Sequence, residues 1–429
     1  MKNILIIGTV DTKSDEIEFM RECIENLECN PVLMDVSVLG DPPIKVDYSK
    51  HDVAENANMT NKEIIDLGNE NDAMIASAKG AKSLTLKLCK EKKIDGAIAL
   101  GGTMGTDLAL DVFSELPLGF PKCLVSTVAG SPLIEPQRLP SDIITVLWAG
   151  GLYGLNTICK SSLSQACGAV VGATLAKHEM HEPKPIVAIN SLRTTALKYI
   201  ITLLPELEKR GFEGAVFHTT GMGGSAMESL IKLGRIVAVM DFSLVEISNY
   251  YFGSEVNAGK DRLEVAGKFK IPQIVAPGGL TVVDAKTWSQ PPKDFEGREF
   301  RPHNRLITCA ALSASERKKA ASIIGEKLMK SKGPTAFIMT HGGFDDWDRE
   351  GEWAFDQNAI NSFHEEMKNI LKEKKIRPDI IEASVSSHLN DDFLELYKKT
   401  IVMNKFISKD LGRNAVSTYK LSLIHISEP

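Results

Sequence analysis

Five short apolar runs in this chain each end in a turn built from glycine, threonine or aspartate. Gly8-Thr-Val-Asp-Thr-Lys13 follows Ile4 to Ile7, and Gly101-Gly-Thr-Met-Gly-Thr106 follows Gly96 to Leu100. Thr219 to Gly224 follows Ala215 to Phe217, Pro277-Gly-Gly279 follows Gln273 to Ala276, and His341-Gly-Gly343 follows Phe337 to Thr340. Short apolar runs without alternation are what parallel strands covered on both faces require. Between the runs lie amphipathic helical stretches, so strand and helix alternate along the whole chain. That pattern demands α/β architecture with parallel sheets. In open sheets of this kind ligands sit at the C-terminal strand edge, where all five turns fall.

The clearest boundary is Glu182-Pro-Lys-Pro185, where two prolines and charges separate a helix from a strand. We therefore expect two Rossmann-like, doubly wound parallel-sheet subdomains, spanning residues 1–182 and 183–408, with a ligand cleft between them. The stretch 409–429 reads as a tail. Its end, Leu421-Ser-Leu-Ile-His-Ile-Ser-Glu-Pro429, resembles read-through of a sequencing adapter. It is set aside from fold reasoning from about residue 421.

Locally, Thr12-Lys-Ser-Asp15 and Ser225 with Glu228 have capping-box spacing, which predicts helix starts there. Leu39 to Asn71 reads as an irregular insertion with a short helix near Asn61 to Leu67. From Asp142 to Lys160 there is no charge, and the next one after Lys160 is Lys177. Glycines and serines interrupt this stretch, which predicts a strand, a turn around Gly150 and Gly151, and a buried helix packed between domains, not a membrane span.

The net charge of −6 argues against non-specific nucleic-acid binding. No basic cluster suggests a membrane surface. Seven scattered cysteines without a Cys-x-x-Cys pair fit reduced thiols in the cytoplasm. No P-loop, no Gly-x-Gly-x-x-Gly with a suitably spaced acid, no Gly-x-Ser-x-Gly and no His-Glu-x-x-His is present, which removes the standard NTPase, dinucleotide, serine hydrolase and zincin readings.

Glycine turns before helices can cradle a phosphate, because the helix start offers unpaired N–H groups and partial positive charge. The candidate cradle residues are Gly101, Gly102, Thr103, Gly105 and Thr106 in one loop, and Thr220, Gly221, Gly223, Gly224 and Ser225 in another. Asp11, Thr12 and Lys13 could add a hydroxyl and a charge. Asp107 works against the first cradle, since a carboxylate competes for the same helix dipole. The plainer reading of such loops is a tight connection whose own side chains satisfy the helix start.

Acid–base candidates are His388 with Asp391, and His303, with His218 and His341 also near loop edges. A carboxylate beside an imidazole can fix its tautomer for proton transfer; equally, Asp391 can simply cap the last helix. The run Asp345, Asp346, Asp348 and Glu350 beside His341 could gather a divalent ion or be a solvated loop.

Several phrases occur together in order: Gly8 to Lys13, Gly101 to Thr106, Leu116 to Thr127, Gly151 to Asn156, Val216 to Glu228, Ala258 to Glu264 and His388 to Asp391. They resemble the Tm-one-like ATP-binding domain family of uncharacterised bacterial proteins, which is related to the N-terminal half of the tomato mosaic virus resistance protein. The resemblance runs to about residue 405. It implies two Rossmann-like subdomains, ATP as ligand and a homodimer; a bound nucleotide would bring its own Mg2+. No reaction comes with it. Two functions fit: an enzyme acting on a small organic acid or phosphorylated metabolite, or a non-catalytic nucleotide-binding regulatory or interaction module.

Overall fold

A computed structural model describes residues 1–148, 154–176, 184–192, 197–340, 342–372 and 379–383. His341, His388, Asp391, the turn around Gly150 and Gly151, and the tail lie outside these residues. The chain forms two compact units, Met1–His181 and Glu182–Pro429.

The first unit runs β1 (Asn3–Gly8), α1 (Val10–Asn26), β2 (Asn30–Asp35), α2 (Lys50–Asn56), α3 (Asn61–Ile65), α4 (Glu70–Lys90), β3 (Gly96–Gly101), α5 (Thr103–Ser114), β4 (Lys122–Ser126), β5 (Ile144–Leu147) and α6 (Thr157–Leu175). Its sheet has the order β2-β1-β3-β4-β5, with every pair parallel. Side chains on successive strand residues point to opposite faces. Leu5 and Ile7, with Ala97 and Ala99, therefore pack under α4 and α5, whereas Ile4, Ile6 and Ile98 pack under α1 and α6. Both faces being covered explains why these strands read as unbroken apolar runs. The apolar helix expected between domains is α6, whose one charged residue is Lys160, and its buried side lies on this unit's own sheet beside α1. The insertion is less irregular than expected, because Ser49 and Asp52 form a capping box that starts α2.

The second unit contains β6 (Ile186–Ser191), α7 (Leu197–Lys209), β7 (Glu213–His218), α8 (Met222–Lys232), β8 (Ile236–Asp241), α9 (Val245–Tyr251), α10 (Val265–Lys268) and β9 (Gln273–Val275). It continues through β10 (Val282–Lys286), β11 (Arg301–Pro302), β12 (Ile307–Ala311), α11 (Ala314–Met329), β13 (Thr335–Thr340), α12 (Gln357–Lys372) and β14 (Asp379–Ala383). The main sheet is parallel, in the order β14-β13-β9-β8-β6-β7. Counted from each unit's first strand, both sheets begin second, first, third, fourth. The parallel alternation is broken once. β10, β12 and β11 form a separate antiparallel sheet that the sequence pattern did not predict. β10 reads Val-Val-Asp-Ala-Lys, and its Asp284 is buried with a hydrogen bond from Asn249, so no alternation marked it.

Candidate functional site

In the first unit β1 and β3 are neighbours, but the chain leaves β1 towards β2 and leaves β3 towards β4. Loops that diverge this way leave a crevice at the C-terminal strand ends. A cavity of about 720 Å³ occupies it. Thr9, Asp11, Thr12 and Lys13 contribute from the β1–α1 turn, and Val36 to Leu39 from the chain after β2. Ile65, Asn69, Glu70 and Met74 form a wall from α3 and α4, and Gly101 to Gly105 close the end beneath α5. The insertion after β2 is thus part of the site.

The start of α5 is the distinctive feature. Its N-cap is Gly102, with no capping side chain and no acid in the first turn. The first N–H groups of a helix have no partner within it, and carry its partial positive charge. Glycine is required at 101, because a Cβ there would lie 2.5 Å from the Gly105 backbone. Thr106 does not face the cavity. Its hydroxyl pairs with that of Ser126 at 2.6 Å and reaches the Gly101 carbonyl at 3.4 Å, fastening the loop to β4. Asp107, which was expected to compete for the helix start, is paired with Arg138, which also holds Asp111.

The start of α1 is different. The N–H of Val10 donates to Asp35 Oδ1 at 3.1 Å, and that of Asp11 to Ser37 Oγ at 3.2 Å. Thr12 and Lys13 N–H both return to the Thr9 carbonyl. The expected capping box at Thr12 and Asp15 does not form, since the helix has already begun at Val10 with Thr9 as N-cap. Lys13 interrupts the helix with φ −127° and ψ 25°, and its ammonium donates to the Thr12 carbonyl at 3.2 Å.

The second glycine loop is taken up by the protein itself. Gly221 stands at φ +95°, a left-handed conformation that glycine adopts without strain. Its N–H donates to Glu246 Oε1 at 2.7 Å, and the N–H of Gly224 to the same oxygen at 3.2 Å. Glu246 Oε2 accepts from Arg262 Nε at 2.9 Å. Arg262 also grips Asp241, with Nη2 to Oδ1 at 2.9 Å, and donates to the Ser243 carbonyl at 3.1 Å. Asn190 donates to Asp241 at 3.0 Å, and all four side chains are buried.

A Cβ on Gly223 would stand 2.0 Å from the His218 carbonyl oxygen, so this glycine serves packing. The expected Ser225–Glu228 capping box is also absent: α8 starts at Met222, and Glu228 accepts the N–H of Leu263 at 2.6 Å. Local spacing was overruled by a carboxylate 25 residues further along the chain from Gly221. Burial pushes the Glu228 carboxyl up to about 7, against the pull of Arg262. Burial alone would weaken the Arg262 charge, but Asp241, Glu246 and Glu228 hold it more firmly than usual.

Neither exposed His303 nor exposed His218 lines the cavity. The His303 ring rests edge-on against Trp347, with centroids 5.8 Å apart. The acidic run is not a metal centre among the described residues. Asp348 is buried against Arg317 at 2.7 Å, and Asp346 pairs with Arg349 at 3.0 Å. Burial lifts Asp348 to about 6, with Arg317 opposing. Sequence reading missed Asp35, Glu246 and Arg262. An aspartate closing an apolar run, as in Leu33-Met-Asp35 and Val239-Met-Asp241, was the available signal for two of the buried carboxylates.

Comparison with known proteins agrees with this layout. Residues 2–179 match the N-terminal domain, and residues 184–398 the C-terminal domain, of an uncharacterised protein family, UPF0261. A UPF0261 protein of Brucella melitensis is 46% identical over 90% of this chain and 91% of its own length. One from Clostridium tetani is 32% identical over 94% of this chain and 99% of its own. The ToMV resistance protein Tm-1 of Solanum lycopersicum is 28% identical over 92% of this chain and 56% of its own length. Among solved structures, a Methanocaldococcus jannaschii UDP-GlcNAc 2-epimerase shares 12% identity over 64% of this chain and 83% of its own, with a TM-score of 0.21.

Proposed function

This chain belongs to the UPF0261 family, and we propose that it binds a nucleotide of the ATP class in its first unit. The observation that carries the proposal is the start of α5, a helix end with no side-chain cap and no acid in its first turn, opening on a cavity at the β1–β3 divergence. An anion is the natural partner of such a helix end. The phosphates would meet the N–H groups of Gly102 to Gly105, the Thr103 hydroxyl and the Lys13 ammonium. The apolar wall of Val36, Val38, Leu39, Ile65 and Met74 suits the flat face of a base. Mg2+ would arrive with the nucleotide.

Within this reading the chain is an enzyme acting on a small organic acid or phosphorylated metabolite, with Lys13 as the charged group that would meet the phosphates. A non-catalytic regulatory module is the second reading. It is favoured by one observation, that no histidine or cysteine among the described residues lines the cavity. No helix among the described residues is long and apolar enough to cross a membrane. Seven cysteines held as thiols, five of them buried, favour a cytoplasmic setting. We further propose a homodimer. Calorimetry with Mg-ATP, followed by phosphate release with and without candidate acids, tests the proposal. Saturable binding is expected, and folded protein that ignores millimolar Mg-ATP would overturn it.

A further inference from the structure

We infer, on the reading that the cavity takes a nucleotide, that Asp11 recognises the ribose hydroxyls of that ligand. The acid at the end of the second strand is the usual ribose partner in dinucleotide folds. Here that residue is Asp35, and it is committed elsewhere. It is fully buried, accepts the N–H of Val10 and of Ser37, and does not line the cavity. Asp11 does line it. Its carboxylate is held from behind, with the Gly40 N–H 3.2 Å from Oδ2 and Ser37 Oγ 2.9 Å from Oδ1, a hydroxyl whose single proton Asp11 shares with Asp35 Oδ1. Gly40 packs so closely that a Cβ there would lie 2.7 Å from the Asp11 Cβ.

An ionised carboxylate has about four acceptor positions. Gly40 uses one on Oδ2, and the shared Ser37 proton at most one on Oδ1, which leaves at least one on each for a ligand. Two neighbouring acceptors in a fixed plane match a vicinal diol. They would also suit an ammonium group, but the nearby Lys13 and the positive start of α5 repel a cation and leave neutral hydroxyls unaffected. Ser37 thus acts as a positioning residue and Asp11 as the group that meets the sugar.

The test compares Mg-ATP, Mg-2′-deoxy-ATP and Mg-3′-deoxy-ATP by calorimetry on the unaltered protein, so it does not depend on a variant that folds. Each deoxy ligand is expected to bind about tenfold to a hundredfold more weakly, the range for a lost hydrogen bond to a charged group. In Asp11→Asn and Asp11→Ser, checked for unchanged melting, ATP and the deoxy ligands should converge in affinity. Equal affinity of all three ligands for the unaltered protein overturns the role of Asp11 and leaves nucleotide binding standing. Absence of binding by all three, in folded protein, overturns both.

Discussion

Glu246 Oε1 lies 2.7 Å from the amide nitrogen of Gly221, where a helix start would otherwise receive an anion from outside. The protein supplies its own carboxylate at α8, and none at α5 among the described residues. That difference separates two glycine loops that look equivalent in sequence.

The buried pairing behind Glu246 gives the first prediction. Arg262 is the only cation seen against Asp241 and Glu246 among the described residues. Arg262→Met strands both carboxylates in the interior and should cost about 3–5 kcal/mol. Urea unfolding monitored by circular dichroism measures it. A loss within about 0.5 kcal/mol, the usual effect of a surface change, would contradict the assignment.

Glycine substitutions should separate the two loops. Gly102→Val places a branched side chain at the cavity end and should weaken Mg-ATP binding at least about tenfold, because it blocks backbone approach to the ligand. Gly223→Val drives a side chain into the His218 carbonyl and should lower stability. Its effect on nucleotide affinity in the folded fraction should be small. Calorimetry and thermal melting on both variants would show whether the pattern is reversed.

Glu228 sets a pH dependence. Its folded pKa is about 7, against an ordinary value of 4.5. The folded state therefore holds a proton that the unfolded state has released, and stability falls as pH rises from about 4.5 to about 7. Asp348, lifted to about 6, acts in the same direction over a lower window. Glu228→Gln keeps an acceptor for the Leu263 N–H and removes the titration. Its melting temperature should exceed that of the unaltered protein at pH 7.5 and approach it near pH 5. A variant less stable at pH 7.5 would refute this.

The dimer proposal points to the outer side of α6. Ile158 and Leu175 are each 65% exposed, and Lys160 is the helix's one charged residue. A Cβ at Gly168 or Gly172 would meet nothing within 4 Å. Light scattering should give twice the chain mass of 46.9 kDa. Gly172→Arg has room within its own unit and should yield the single mass with unchanged melting. Monomeric unaltered protein at micromolar concentration would end the proposal.

The strand edges were legible because they are written in local chemistry. Ile4 to Ile7, Gly96 to Leu100 and Ile236 to Met240 are buried on both faces, and that condition alone dictates their composition. The start of α2 was written there too, in Ser49 and Asp52, within what was read as an irregular insertion. Helix starts closed from a distance could not be read. Nothing near Gly221 announces Glu246, and nothing near Val10 announces Asp35, because those bonds depend on strands becoming neighbours. The antiparallel sheet escaped for a related reason. Asp284 breaks its apolar run and is accommodated by Asn249 and the Cys309 thiol, which reach it from distant parts of the chain.

Because Asp241, Glu246 and Arg262 fill the second divergence point, a chain with two Rossmann-like units should show a binding stoichiometry of one nucleotide, not two. Any cooperativity in titration is then expected to arise between chains, since the described residues of a single chain offer no second equivalent site to couple with the proposed one.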